Sequence, residues 1–207
     1  MNKLVGYHIL GVTPELVGVG TAYNYIVAGD GVYIRAESHH LAVCIPIADA
    51  EVRGLPPCTP HFVMKHGLIP QRFFDLAFSV FLAHPEHERF VAITWRDGAY
   101  QIVVPDQVCE AASVHYVPVP DTVLELHSHG LMTPFFSSTD DKDEQGLRLY
   151  GVVGSLGKIP GVQFRVGVYG YFQEVGYGDV FDGALSGILE VHDEEGIGGE
   201  PSDNLFD

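Results

Sequence analysis

The chain predicts a mixed α/β fold of the α+β kind. Three observations carry that expectation. Two Asp-Gly turn signals, Gly29-Asp30-Gly31 and Asp97-Gly98, each separate runs of β-branched and aromatic residues. One stretch has a helical period, with Phe73, Phe74, Ala77, Val80 and Phe81 on one face. Two later runs, Leu147 to Val153 and Val162 to Tyr169, alternate as strands do.

From the N-terminus, Tyr23 to Val27 and Val32 to Arg35 form the first hairpin, because Asp-Gly accepts the positive φ of a tight turn. His40 to Ile47 reads as a further strand. The breakers of Gly54-Leu55-Pro56-Pro57-Cys58-Thr59-Pro60 mark a boundary, so residues 1–60 are expected to form a β-rich N-terminal module. His39, His40, His61 and His66 lack metal-ligand spacing and are expected at the surface or in loops. Pro70 opens the helix, where proline is tolerated, and His84-Pro85 closes it. Its aromatic stripe reads as core packing. Arg89 to Trp95 and Ala99 to Val104 make the second hairpin. Thr122 to His127 is a buried strand, Gly130 to Pro134 a loop, and a short helix capped by Ser137 or Ser138 follows. Residues 66–190 would form the second domain and 191–207 an acidic, mobile tail.

A chain of 207 residues can bury one good core with a smaller appended module. Its formal charge of −16 argues against nucleic-acid backbones and anionic membranes, both of which require clustered Lys and Arg. Much of the charge is local, since seven acids and no Lys or Arg lie between Glu190 and Asp207. Cys44, Cys58 and Cys109 are odd in number and show no C-x-x-C spacing, which indicates neither a disulfide framework nor a cysteine metal site. The first residues carry no cleavage signal and no run is apolar enough to cross a bilayer, so a soluble, cytoplasmic protein is expected. The sequence leaves the oligomeric state open.

The chemistry concentrates in His127-Ser128-His129 and the later Ser137-Ser138-Thr139-Asp140. Side chains two apart on a strand share a face, so both imidazoles can reach one point while Ser128 faces away. Asp140, in the first turn of the short helix, returns a carboxylate. Two His and one carboxylate leave a fourth tetrahedral position open, the arrangement of a catalytic rather than a structural zinc site.

The run His127 to Asp140, HSHGLMTPFFSSTD, resembles the JAMM (MPN, Mov34/PAD-1) metalloprotease signature: H-x-H, seven residues, S, two residues, D. The resemblance covers about residues 66 to 180. It implies a three-layer domain, a mixed curved sheet flanked by helices, to which the N-terminal module is added. It also implies Zn2+ held by His127, His129 and Asp140, with Ser137 hydrogen-bonding the developing oxyanion. The family's general-base glutamate lies in a pattern like E-x-x-G-x-L-x-G, for which Glu88 to Trp95 is the counterpart. Glu88 and Ile93 match, while Val91 and Trp95 stand for the two glycines. Glu86 is the nearby rival, followed by Glu37 and Glu125; Glu125 could instead orient an imidazole. Gly130 stands where the family usually has proline, which would loosen that turn and widen the mouth of the site.

Within the family, Phe135 to Gly146 and Arg165 to Phe172 look like the prokaryotic PRTRC system protein A group. That likeness implies a zinc isopeptidase or peptidase acting on a ubiquitin-like or carrier protein, with a ThiF/E1-like activating protein as neighbour. Release of a small molecule from a carrier uses the same site. The alternative is a metal-poor, non-catalytic MPN scaffold, against which the retained ligands weigh. A zinc deaminase is excluded because its paired-cysteine ligands are missing.

Overall fold

The computed structural model describes residues 3–13, 20–109 and 114–192, so residues 193–207 of the acidic tail lie outside the described residues. The fold is mixed α/β, with two mixed sheets. The first sheet orders β1 (Val5–Ile9), β2 (Tyr23–Ala28), β3 (Gly31–Glu37), β4 (Leu41–Asp49) and β5 (His61–Met64) side by side. Only β1 runs parallel to its neighbour. Gly29 and Asp30 close the expected hairpin in two residues. The Pro-rich stretch does not end the sheet: His61 pairs with Cys44 and Met64 with Leu41, so backbone pairing carries the sheet beyond residue 60.

Next comes α1 (Gln71–Leu82), which buries Phe73, Phe74, Ala77 and Phe81. Pro70 stands at its N-cap, and the Gln71 N–H donates to Asp182 Oδ1 at 2.7 Å, a cap supplied from far along the chain. β6 (Phe90–Arg96) and β7 (Ala99–Val103) form the second hairpin, with φ of 54° at Asp97 and 77° at Gly98, both positive as a type I′ turn requires. β8 (Gln107–Cys109) and β9 (Val114–Tyr116) make a separate small hairpin. β10 (Thr122–Ser128), α2 (Ser138–Asp143), β11 (Leu147–Gly154), β12 (Gly161–Val168), β13 (Tyr171–Glu174), α3 (Tyr177–Val180) and β14 (Leu189–Glu190) complete the described chain. The second sheet has the order β13-β12-β11-β10-β6-β7, with β14 beside β12.

Alternation along β10 decides what faces the core. Leu124 pairs with Ile93 and Leu149 and lies in the apolar cluster, whereas His127 pairs with Phe90 and Val152 on the other face. That cluster joins Ile34, Leu41, Val43 and Ile45 of the first sheet to Phe74, Ala77 and Phe81 of α1 and to Val91, Ile93, Leu124, Leu126 and Leu149 of the second sheet. The N-terminal strands therefore share a core with the rest of the chain. His40 and His66 lie in a bend and a turn, in keeping with the loop positions expected of them, yet neither is fully exposed. Both are half-buried, their ring nitrogens stand 3.1 Å apart, and His66 stacks on Trp95 at 4.2 Å between centroids. Trp95 also meets Tyr100 edge-on and packs against the shared core.

Candidate metal centre

Three elements converge on the site. β10, buried along its whole length, delivers His127 at its end and His129 just beyond it. The parallel neighbour β11 braces the chain as it leaves: the His129 N–H donates to the Val153 carbonyl at 2.8 Å, Ser155 to Met132 at 2.6 Å and Leu156 to Gly130 at 3.0 Å. The carboxylate arrives on α2. Ser137 is the N-cap, its Oγ accepting from the Asp140 N–H at 3.3 Å while the Asp140 Oδ2 accepts from the Ser137 N–H at 2.6 Å. This capping box orients Asp140, because both its backbone and its carboxylate are tied to Ser137.

The side chains close on one point. His127 Nε2 and His129 Nε2 are 3.2 Å apart, and they stand 3.6 Å and 4.0 Å from the two oxygens of Asp140. Burial takes His127 down to about 4 and holds His129 below its ordinary value, with Asp140 opposing in both cases. For Asp140, burial works against the charge, but the imidazoles and the two Ser137 hydrogen bonds outweigh it, and its carboxyl lies below the usual range. At neutral pH the group thus presents two neutral imidazoles and one carboxylate, the protonation state that metal ligation demands. His127, His129 and Asp140 together could hold a metal ion.

Glu88 belongs to the same site. Antiparallel pairing of β10 with β6 brings His127 opposite Phe90, and the Ser128 N–H donates to the Arg89 carbonyl at 2.9 Å. Glu88 immediately precedes this paired stretch, in the segment that leads into β6. Only 8% exposed, Glu88 is raised to about 7 by burial and then by the negative charge of Asp140. The rivals lie differently. Glu86 is exposed in the turn before Glu88. Glu37 is bound at 2.6 Å by Lys65 on the first sheet. Glu125 shares the face of His127 but forms an ion pair with Arg148.

Gly130 differs from the loosened turn expected of it. It is buried at φ of +56°, and a Cβ there would stand 2.5 Å from the Pro85 carbonyl oxygen. Proline, restricted to φ near −65°, does not fit that backbone. Glycine here lets the His129 turn press against the turn that leads into Glu88.

Arg165 has no role in the motif-based reading, yet it bears on the site. A cation in the apolar run Val162 to Val168 requires buried partners, and that was the available signal. It is 7% exposed on β12 and binds Asp141, which follows Asp140 on α2, and Glu144, the C-cap of that helix. Compared with protein-family models and with curated proteins, the chain matches none.

Proposed function

We propose that the chain is a zinc-dependent isopeptidase or peptidase that cleaves the amide bond at the end of a ubiquitin-like or carrier-protein conjugate. The observation that carries the hydrolytic reading is the meeting of His127, His129 and Asp140 with a buried Glu88 that senses Asp140's charge. Zinc fits the donor set: two nitrogens each ~2.05 Å from a tetrahedral ion stand ~3.3 Å apart, close to the 3.2 Å between the imidazoles. When bound, zinc would polarise the scissile carbonyl and acidify a water.

The chain's own groups supply the rest. Ionised Glu88 accepts a proton from the attacking water and passes it to the leaving amine, so the C–N bond breaks with no other proton source. Ser137 Oγ hydrogen-bonds the carbonyl oxygen as negative charge develops on it. The substrate class rests on the resemblance of the run from His127 to Asp140, as does a ThiF/E1-like partner that would make the conjugate.

The test measures zinc content beside the rate of cleavage of a ubiquitin-like fusion. His129→Ala is expected to lose both. Glu88→Gln is expected to keep zinc and slow cleavage by about 10² to 10⁴ fold, because a neutral amide cannot take the proton. Wild-type protein that binds no zinc and cleaves no fusion would favour the scaffold reading. Full activity in Glu88→Gln with loss in Glu86→Gln would move the base by two residues.

A further inference from the structure

The geometry points to Arg165 as a positioning residue of the metal centre, the strut that holds the Asp140-bearing helix α2 at the distance from β10 that ligation requires. This rests on the metal-site reading of His127, His129 and Asp140. The argument begins with what α2 lacks. It has six residues and no buried side chain, so neither helix propensity nor an apolar face holds it in place. The capping box ties Asp140 to Ser137, both on the same short segment. It cannot fix that segment relative to the histidines.

Arg165 makes that connection from the sheet. Its Nε and Nη2 donate to Glu144 Oε2 at 2.9 Å and 2.7 Å, and its Nη1 donates to Asp141 Oδ1 at 2.7 Å. The guanidinium also lies between two rings, 3.8 Å from the centre of Phe136 and 3.7 Å from that of Phe172. Three of these four partners, Phe136, Asp141 and Glu144, flank Asp140 on the ligand-bearing segment, and the fourth lies on β13. Phe136 in turn meets the His127 ring in a T-shaped contact, with the ring centroids 6.3 Å apart. A planar cation with donors on three sides can hold carboxylates and rings together, and lysine cannot reproduce that fork. Two stacked rings, a buried ion pair to Glu144 and a second, half-exposed pair to Asp141 make the strut stiff in a way that one surface pair would not be.

The test titrates full-length protein with Co2+ and reads both the dissociation constant and the visible spectrum, with near-ultraviolet circular dichroism to monitor folding. Wild type is expected to give a tetrahedral Co2+ spectrum that His129→Ala lacks. If wild type binds no Co2+ or Zn2+, the metal-site reading fails, and that failure is separate from the one tested here. Given wild-type binding, Arg165→Met is expected to weaken it about 10- to 100-fold and to shift the spectrum, with Arg165→Lys intermediate. A merely structural role would lower thermal stability but leave the affinity and spectrum of the folded protein unchanged, and that result overturns the inference. Should Arg165→Met not fold, the pair Asp141→Asn and Glu144→Gln keeps Arg165 and removes its charged anchors. Tenfold or greater loss of affinity in that pair supports the strut, and unchanged affinity overturns it.

Discussion

Glu88 carries an energetic signature independent of any reaction. Its carboxyl moves from 4.5 to about 7, with burial the larger cause and Asp140 the smaller. A raised folded-state value means that the folded protein holds this proton more tightly than the unfolded chain. The stabilisation is therefore fully present below about pH 4.5 and lost as pH rises through about 7. In metal-free protein, the stability of wild type relative to Glu88→Gln is expected to fall across that window by about 3 kcal/mol at most, measured by urea denaturation at a series of pH values. A difference that stays flat from pH 4.5 to 8 would mean that Glu88 is not held against the negative charge of Asp140. The family resemblance singled out Glu88 as a candidate, through the spacing of Glu88 and Ile93. Its environment was not, since the charge that perturbs it belongs to a residue delivered by a different element.

At the scale of elements, α1 shows how a sequence-legible helix depends on a partner that its own segment does not contain. The aromatic stripe announces the helix, but its first turn has no acidic residue and its N-cap is Pro70, which offers no side-chain acceptor. Asp182, just after α3, provides the acceptor for the Gln71 N–H. Asp182→Ala is expected to lower global stability by about 1 kcal/mol, the usual cost of an N-cap, with no change in metal content. Equal denaturation midpoints for the variant and wild type would show that water serves the Gln71 N–H as well. α2 presents the reverse case: its cap is local, narrowed by the sequence to Ser137 or Ser138 and found at Ser137, whereas what anchors it lies on β12.

The whole molecule has one principal core. Ile34, Leu41, Val43 and Ile45 of the first sheet lie in the same apolar cluster as α1 and the second sheet. Tyrosines add to this contact, with Tyr23 and Tyr169 rings 5.1 Å apart and the hydroxyls of Tyr25 and Tyr171 at 3.1 Å. The single tryptophan, Trp95, reports on the seam because it stacks on His66. Thermal unfolding followed by Trp95 fluorescence and by far-ultraviolet circular dichroism is expected to give coincident transitions, as one cooperative unit does. A fluorescence change at lower temperature would mean that the N-terminal sheet detaches first. A chain cut to residues 66–190 is expected not to fold cooperatively, since it exposes the core face that the first sheet covers.

What the sequence by itself determined is what depends on neighbours within a few positions. Strand parity puts His127 and His129 on one face, Asp97-Gly98 accepts the positive φ of a hairpin turn, and Ser137 or Ser138 caps the turn that holds Asp140. These follow from side-chain periods and backbone preferences that act locally. Tertiary structure alone decided which distant groups meet: Glu88 with Asp140, Arg165 with Glu144, Gln71 with Asp182, and His61 to Met64 with β4. Each of these meetings depends on strand register and on how faces pack after long loops close, and no short window of sequence encodes the partner.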